Sequence, residues 1–403
     1  MARPGIGIWL IGAKGGVAST TIVGLAALKR RLVPPFGLVS SLPQFGHLRL
    51  AGWNDFAVAG HEIRDVRLVD EAMKLATTSR AIDPRLIESC QAELAEIDGR
   101  VRPGTIYQVG QTIEALAGDA VPRGESARDA IDRVRDDMAR FVETARLEHL
   151  VVVNVASTER PVDPASLPPT WAELEPLLDR AGPSPLPASS LYAIAALGAG
   201  HSYVNFTPSL GSAPEAIDEL ARLGNTRHMG CDGKTGETLM KSVLAPMFGL
   251  RHLQVMSWVG HNIFGNMDGQ VLDDPGNKAA KVASKDHLLG DILGYKPQTH
   301  VSIEYIESLG DWKTAWDHVH FAGFLGTPMT LQFIWQGCDS LLAAPLVLDL
   351  IRFTELAHRR GETGRLTFLA SFFKSPYGVR EHGFVRQFQM LEAWARKRPG
   401  ANG

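Results

Sequence analysis

GIGIWLIGAKGGVASTTIVGLAALK, residues 5–29, decides the fold. A short apolar run from Gly5 to Ile11 enters a glycine-bearing turn and leaves it with apolar residues at helical spacing, which reads as strand, loop, helix. The turn and first helical residues, Gly12, Ala13, Lys14, Gly15, Gly16, Val17, Ala18, Ser19 and Thr20, are candidates for holding a dinucleotide. Missing side chains let backbone N–H groups approach the pyrophosphate, and the helix N-terminus adds partial positive charge. The match is imperfect. Lys14 stands where the usual pattern has its second glycine, and the ribose-binding carboxylate expected about 20 residues on is absent, the first acidic residue being Asp55. Alone, the motif fits an unliganded strand-to-helix turn equally well.

Outward from this unit, apolar strands are predicted at 149–155 (HLVVVNV) and 202–206 (SYVNF), with helical or loop-rich stretches between them. Such alternation argues for a parallel sheet. Residues 55–146 read as mostly polar and helix-favouring, and the prolines of 161–169 and 183–187 mark surface loops. From about 251 the texture changes to strands HLQVMSW, HVSIEYI and MTLQFIW joined by polar, lysine-bearing loops. After Ser340 a long amphipathic helix is predicted, then the apolar segment LTFLASFF, with a tail that packs back on the first region. The expected fold is α/β, with a Rossmann-type nucleotide-binding domain of residues 1–238 and 342–403 and an inserted α+β domain of 239–341.

Composition narrows the function. With 403 residues, 45% hydrophobic and 21% charged, the chain is globular. A formal net charge of −3 gives no global field for nucleic acid or an anionic membrane, so any anion needs a local pocket. Cys90, Cys231 and Cys338 form neither a disulfide framework nor a CxxC pair. No signal pattern and no membrane-length apolar run are visible, and a cytoplasmic location is expected.

The informative segments are GCDGKTGETLMKSVLAPMF (230–248), HNIFGNMDGQVL (261–272), NKAAKVASK (277–285), SLGDWKTAWDHVHFAGFLG (308–326), QGCDSLLAAPLVLDL (336–350) and SFFKSP (371–376). Gly233-Lys234-Thr235 ends like a P-loop, but His228 stands five residues before Gly233, so that reading fails. In order, and together with the glycine loop, these segments resemble the inositol-phosphate synthase family, especially its archaeal-like branch, over most of the chain. The resemblance implies NAD as cofactor and a hexose phosphate as substrate, with no nucleic acid or membrane partner, and a homotetramer. It implies D-glucose 6-phosphate as the particular substrate, oxidised at C5, closed from C6 to C1 and re-reduced to an inositol phosphate.

Position by position, the resemblance assigns Lys281, Lys285, Lys313, Lys374 and Asp268 to catalysis. It places Asn262 and Asn266 on the substrate, with Lys285 and Lys313. Around the cofactor, besides the glycine loop, it places Ser157, Thr158, Asp232, Thr235, Asp311 and Asp339. The pattern breaks at Ile263 and Met267, inside the 262–269 motif, and at Leu239, where many relatives carry lysine. Clustered lysines suit the chemistry because crowding of like charge and partial burial lower the pKa, so one side chain can act as base or as charge stabiliser.

Each residue also has a structural reading. Lys281 and Lys285, at i,i+4, fit an exposed helix face. Asp268 fits a turn between glycines, Asp339 an N-cap and Asp232 an Asx-turn. His252, His261, His300, His318 and His320 lack convincing ligand spacing, and a divalent cation, which assists some relatives, stays open. Three other activities are carried forward: closure of a five-membered ring from fructose 6-phosphate, net dehydrogenation with NADH release, and a non-catalytic NAD-binding scaffold.

Overall fold

A computed structural model describes residues 5–180, 182–266 and 289–397. Strand β1 (Ile6–Ile11) runs into α1 (Gly16–Lys29), as the sequence predicts. β1 is central in a seven-stranded, wholly parallel sheet. Its neighbours are β2 (Phe56–Glu62), followed by β3 (Val101–Pro103), on one side, and β4 (His149–Asn154), β5 (Ser202–Asn205), β6 (Arg227–Gly230) and the short β11 (Gly364–Arg365) on the other.

Between these strands lie α2 (Leu68–Thr77), α3 (Pro84–Ser89), α4 (Gln91–Asp98), α5 (Gln111–Glu114), α6 (Ala127–Ala145), α7 (Trp171–Leu174), α8 (Ala188–Gly198) and α9 (Glu215–Leu223). Both faces of the sheet are covered. Ile8 and Leu10 pack towards α1, while Trp9 and Ile11 pack towards α6 and α8 on the opposite face. The strand order reverses between β1 and β4, and open α/β sheets bind ligands at the carboxyl end of such a switch point.

The 55–146 stretch corrects the sequence reading, because it contains β2 and β3 as well as helices. β2 is buried along its whole length although it ends in His61 and Glu62. Burial is tolerated because His61 Nε2 lies 3.1 Å from Asp137 Oδ2 and Glu62 accepts several hydrogen bonds.

After β6 comes α10 (Gly236–Leu250), which packs under a second, four-stranded sheet of β7 (Gln254–Phe264), β8 (Gln298–Tyr305), β9 (Trp312–Ala322) and β10 (Pro328–Cys338), in the order β10-β9-β7-β8. Four strands stand where the periodicity suggests three. β9 hides because its outward positions carry polar residues such as His318, and its inward set includes Asp317. Phe248 of α10 meets Trp258 and Val319 on the inner face. On the outer face, Trp316 and Ile334 are 41% and 68% exposed, so this face is not closed within the chain.

β10 passes directly into α11 (Asp339–Arg359), which lies along α1 and returns the chain to the first sheet. The N-cap is Cys338; Asp339 is the first helical residue, which corrects the N-cap reading. Helix α12 (Phe384–Arg396) closes the fold, with Trp394 stacked on Phe368 at 3.9 Å between ring centroids. Among the described residues no helix is long and apolar enough to cross a membrane.

Candidate active site

A cavity of about 560 Å³ opens at the switch point, between the carboxyl ends of the parallel strands and the second sheet. Gly12, Gly15, Gly16 and Val17 line it where α1 begins. Gly12 has φ +78°, and a Cβ there would fall 2.8 Å from the Cα of Ala156, so only glycine lets the loops after β1 and β4 approach this closely. The Gly12, Gly15 and Gly16 backbone therefore faces open space at a helix N-terminus, which suits a pyrophosphate.

Glu62, at the end of β2, lines the same cavity. No carboxylate stands about 20 residues after the glycines, but Glu62, 46 positions after Gly16, brings one to the cavity because a long excursion separates α1 from β2. Its oxygens accept from the backbone N of Lys14 at 2.9 Å, of Ile63 at 3.0 Å and of Arg64 at 3.1 Å. The Lys14 side chain turns away from the cavity, donating to the Val66 carbonyl at 2.6 Å and pairing with Asp98 at 2.8 Å. In this position the side chain braces the loop. Ala13, Ala18, Ser19 and Thr20 are buried behind the loop, where Ser19 and Thr20 hydroxyls bond the Lys14 and Gly16 carbonyls.

Opposite the glycines, residues 231–234 pair with 372–375 as a short antiparallel clasp. Cys231 N donates to Ser375 O at 2.9 Å, Lys374 N to Asp232 O at 2.7 Å and Lys234 N to Phe372 O at 2.8 Å. The clasp brings Lys374 Nζ to 2.8 Å from Asp232 Oδ1, both side chains lining the cavity about one-fifth exposed. Asp232 has φ +61°, a conformation Asp and Asn adopt more readily than most residues. Beneath the clasp, Lys234 is buried against Gln387 Oε1, and desolvation lowers its pKa to about 7.

Asp311 accepts from Ser340 N at 2.7 Å, Ser340 Oγ at 3.0 Å and Cys338 Sγ at 2.8 Å, and burial raises its pKa. It thereby ties the start of α11 to the start of β9. Ser340 Oγ in turn sits 2.6 Å from where a Cβ on Gly16 would be. Ser157, Thr158, Thr235, Asp339, Asn266 and Lys313 also line the cavity, and Lys313 Nζ lies 5.1 Å from the Phe264 ring centroid. Glu159 lines it too; its carboxylate accepts from Ser189 N at 2.8 Å, and burial pushes its pKa up to about 7.

Asn262 stands apart. It is fully buried in β7, outside the lining, with Oδ1 unbonded among the described residues. Lys281, Lys285, Asp268 and Met267 lie outside the described residues. Among the described residues no group of three or more His, Cys, Asp or Glu could hold a metal ion. Glu62, Glu237, Thr238 and Ser340 also line the cavity; the last three lie inside the 230–248 and 336–350 motifs without an assigned role, and Glu62 lies outside every motif.

Known proteins share this organisation. The sequence profile of the family described as myo-inositol-1-phosphate synthase matches residues 6–396. Inositol-3-phosphate synthase 1 of Bacteroides thetaiotaomicron is 30% identical, over 98% of this chain and 96% of the relative. Inositol-3-phosphate synthase of Spirodela polyrhiza is 28% identical, over 88% of this chain and 75% of the relative. Among solved structures, inositol-3-phosphate synthase from Caenorhabditis elegans superposes with a TM-score of 0.86 at 24% identity, covering 98% of this chain and 85% of that one. A myo-inositol-1-phosphate synthase-related protein from Thermotoga maritima gives 0.78 at 22% identity, covering 98% and 99%. The two superpositions show a common fold.

Proposed function

Because the chain belongs to the myo-inositol-1-phosphate synthase family, we propose that it is an NAD-dependent cyclase converting D-glucose 6-phosphate to 1D-myo-inositol 3-phosphate. The observation that carries this reading is that one cavity holds both a nucleotide loop with its β2 carboxylate and the Lys374–Asp232 pair. Bound NAD supplies reversible hydride exchange with C5 of the sugar, so the overall reaction is redox-neutral. The glycine backbone of residues 12, 15 and 16 holds the pyrophosphate, and Glu62 accepts from the adenosine ribose.

Asp232 pairs with the Lys374 ammonium and aims it, so that it meets the oxyanion developing on the sugar. Lys313 and the first turn of α10, through Thr238, receive the phosphate. Lys285 joins Lys313 at the phosphate and the C1 oxygen, and Lys281 takes the proton of the C5 hydroxyl during hydride transfer. As C6 attacks C1, its proton would pass to a neutral lysine of this group and a protonated lysine would supply one to the C1 oxygen, so ring closure balances without a further reagent, and the hydride returns to C5.

The enzyme works as a cytoplasmic homotetramer, the outer face of the four-stranded sheet burying Trp316 and Ile334 against a second copy.

Incubation with NAD and glucose 6-phosphate, with product identified by NMR and mass, tests the reading. An inositol phosphate without accumulating NADH supports it. A five-membered carbocycle formed only from fructose 6-phosphate, stoichiometric NADH, or no turnover of either sugar would each reject it.

A further inference from the structure

Glu237 is the second residue of α10 and lines the cavity. A carboxylate therefore stands in the first turn, where the partial charge of the helix is positive and a phosphoryl group would dock. Unbalanced, it would repel that group. Lys241, one turn further on, places Nζ 2.6 Å from Glu237 Oε1, with the two side chains only 3% and 2% exposed. Room for the pair comes from Gly260 of β7, where a Cβ would fall 2.6 Å from Glu237 Oε1 and 3.2 Å from Asp317 Oδ1. Asp317 accepts from Trp258 Nε1 at 2.7 Å, and Lys241 Nζ lies 5.9 Å from the Trp258 ring centroid. Two buried carboxylates thus converge on the space beside one glycine, and Lys241 brings an ammonium into it.

We propose that Lys241 is a positioning residue for phosphate recognition: by neutralising Glu237 it keeps the first turn of α10 able to accept the substrate's phosphate, and the net charge of this pair sets the affinity for that group. Lys241 does not touch the substrate. It acts through Glu237, whose charge at this depth is poorly screened. The inference rests on the cyclase reading for the identity of the substrate, but the anion affinity it concerns can be measured without turnover.

The test is a charge series in the NAD-loaded enzyme: Glu237→Gln, Lys241→Met and the double variant. Inorganic phosphate is the probe, as a competitor of glucose 6-phosphate and by calorimetry. Removing Glu237's charge should tighten phosphate binding, removing Lys241's should weaken it by about tenfold, and the double variant should return close to the starting value. KM should move in the same order, and more than kcat. Should Lys241→Met fail to fold, Glu237→Gln and the double variant still decide. Equal phosphate affinity throughout, or weaker binding in Glu237→Gln, would overturn the proposal. Failure of the wild-type chain to cyclise any hexose phosphate, with the charge series intact, would sink the cyclase reading and leave the pair's role standing.

Discussion

Lys374 and Asp232 lie 142 positions apart in sequence and 2.8 Å apart in space, because the backbone segments that carry them hydrogen-bond to each other beside the cavity. The clasp fixes both Cα positions, so the ion pair does not have to hold the chain together. Its two side chains are partly solvated, and a partly solvated pair contributes little to stability, about 0–1 kcal/mol.

Asp232→Asn should therefore separate catalysis from folding. Asparagine tolerates the left-handed backbone at this position and preserves the shape, while the ammonium of Lys374 loses its counter-charge. Turnover should fall by about 100-fold, the usual size of a lost proton-transfer or oxyanion contribution. The melting temperature should stay within a few degrees. Equal activity in the two proteins would show that the pair is structural.

Glu62 gives a cofactor prediction. At the end of β2 the Glu62 carboxylate accepts from three backbone N–H groups and from Arg64 Nε and Nη2 at 3.2 Å each, so it offers acceptors to a ribose 2′-hydroxyl and occupies the guanidinium that a 2′-phosphate would need. The enzyme should prefer NAD to NADP, and Glu62→Gln should narrow that preference while raising KM for NAD about tenfold. Titration of both dinucleotides by fluorescence quenching checks this.

These two residues also mark what the sequence makes legible. The 5–29 unit declares itself because apolar strand, glycines and helical spacing are local, and the motifs around Lys313 and Lys374 are local too. Glu62 is not, since its distance from the glycines depends on an excursion of irregular chain between α1 and β2 that no counting rule anticipates. β2 itself is masked by small and polar residues, Ala57, Ala59, Gly60, His61 and Glu62, whose burial depends on partners elsewhere in the fold. Pairing of 231–234 with 372–375 is a tertiary fact, invisible to periodicity. Even a correct list of residues thus carries no geometry.

Gly16 offers a steric test of how α11 is seated on the nucleotide loop. A methyl group there would sit 2.6 Å from Ser340 Oγ, which is anchored on Asp311. Gly16→Ala should cost about 1–3 kcal/mol in unfolding free energy and weaken NAD binding, since either the loop or α11 must shift. Adding Ser340→Ala should recover part of both losses. No recovery would place the strain elsewhere.

The amino ends of the parallel strands carry an acid-sensitive cluster remote from the cavity. His149 stacks on His358 at 3.6 Å between ring centroids and meets His201 edge-on at 5.8 Å, with Arg227 hydrogen-bonded to His358. Burial, then repulsion among these groups, lowers the pKa of His149 to about 2 and those of His201 and His358 to about 4. A histidine whose folded pKa is depressed destabilises the fold as pH falls below its unfolded value near 6.5, because the unfolded chain takes up the proton first. The loss grows by at most ~1.4 kcal/mol per pH unit for each such proton and levels off below the folded pKa. Glu159 and Asp349, with pKa values raised by burial to about 7 and about 6, work in the opposite direction, so the wild-type slope alone is ambiguous. A variant difference is not. His201 Nδ1 is buried with no hydrogen-bond partner among the described residues, so His201→Phe removes a titrating ring without breaking a bond at that atom. Urea unfolding should give similar stabilities at pH 7.5 and an advantage to the variant that grows from pH 6.5 to pH 4.5, reaching about 2 kcal/mol. A pH-independent difference would mean that the ring's proton equilibrium is the same in the folded and unfolded chain.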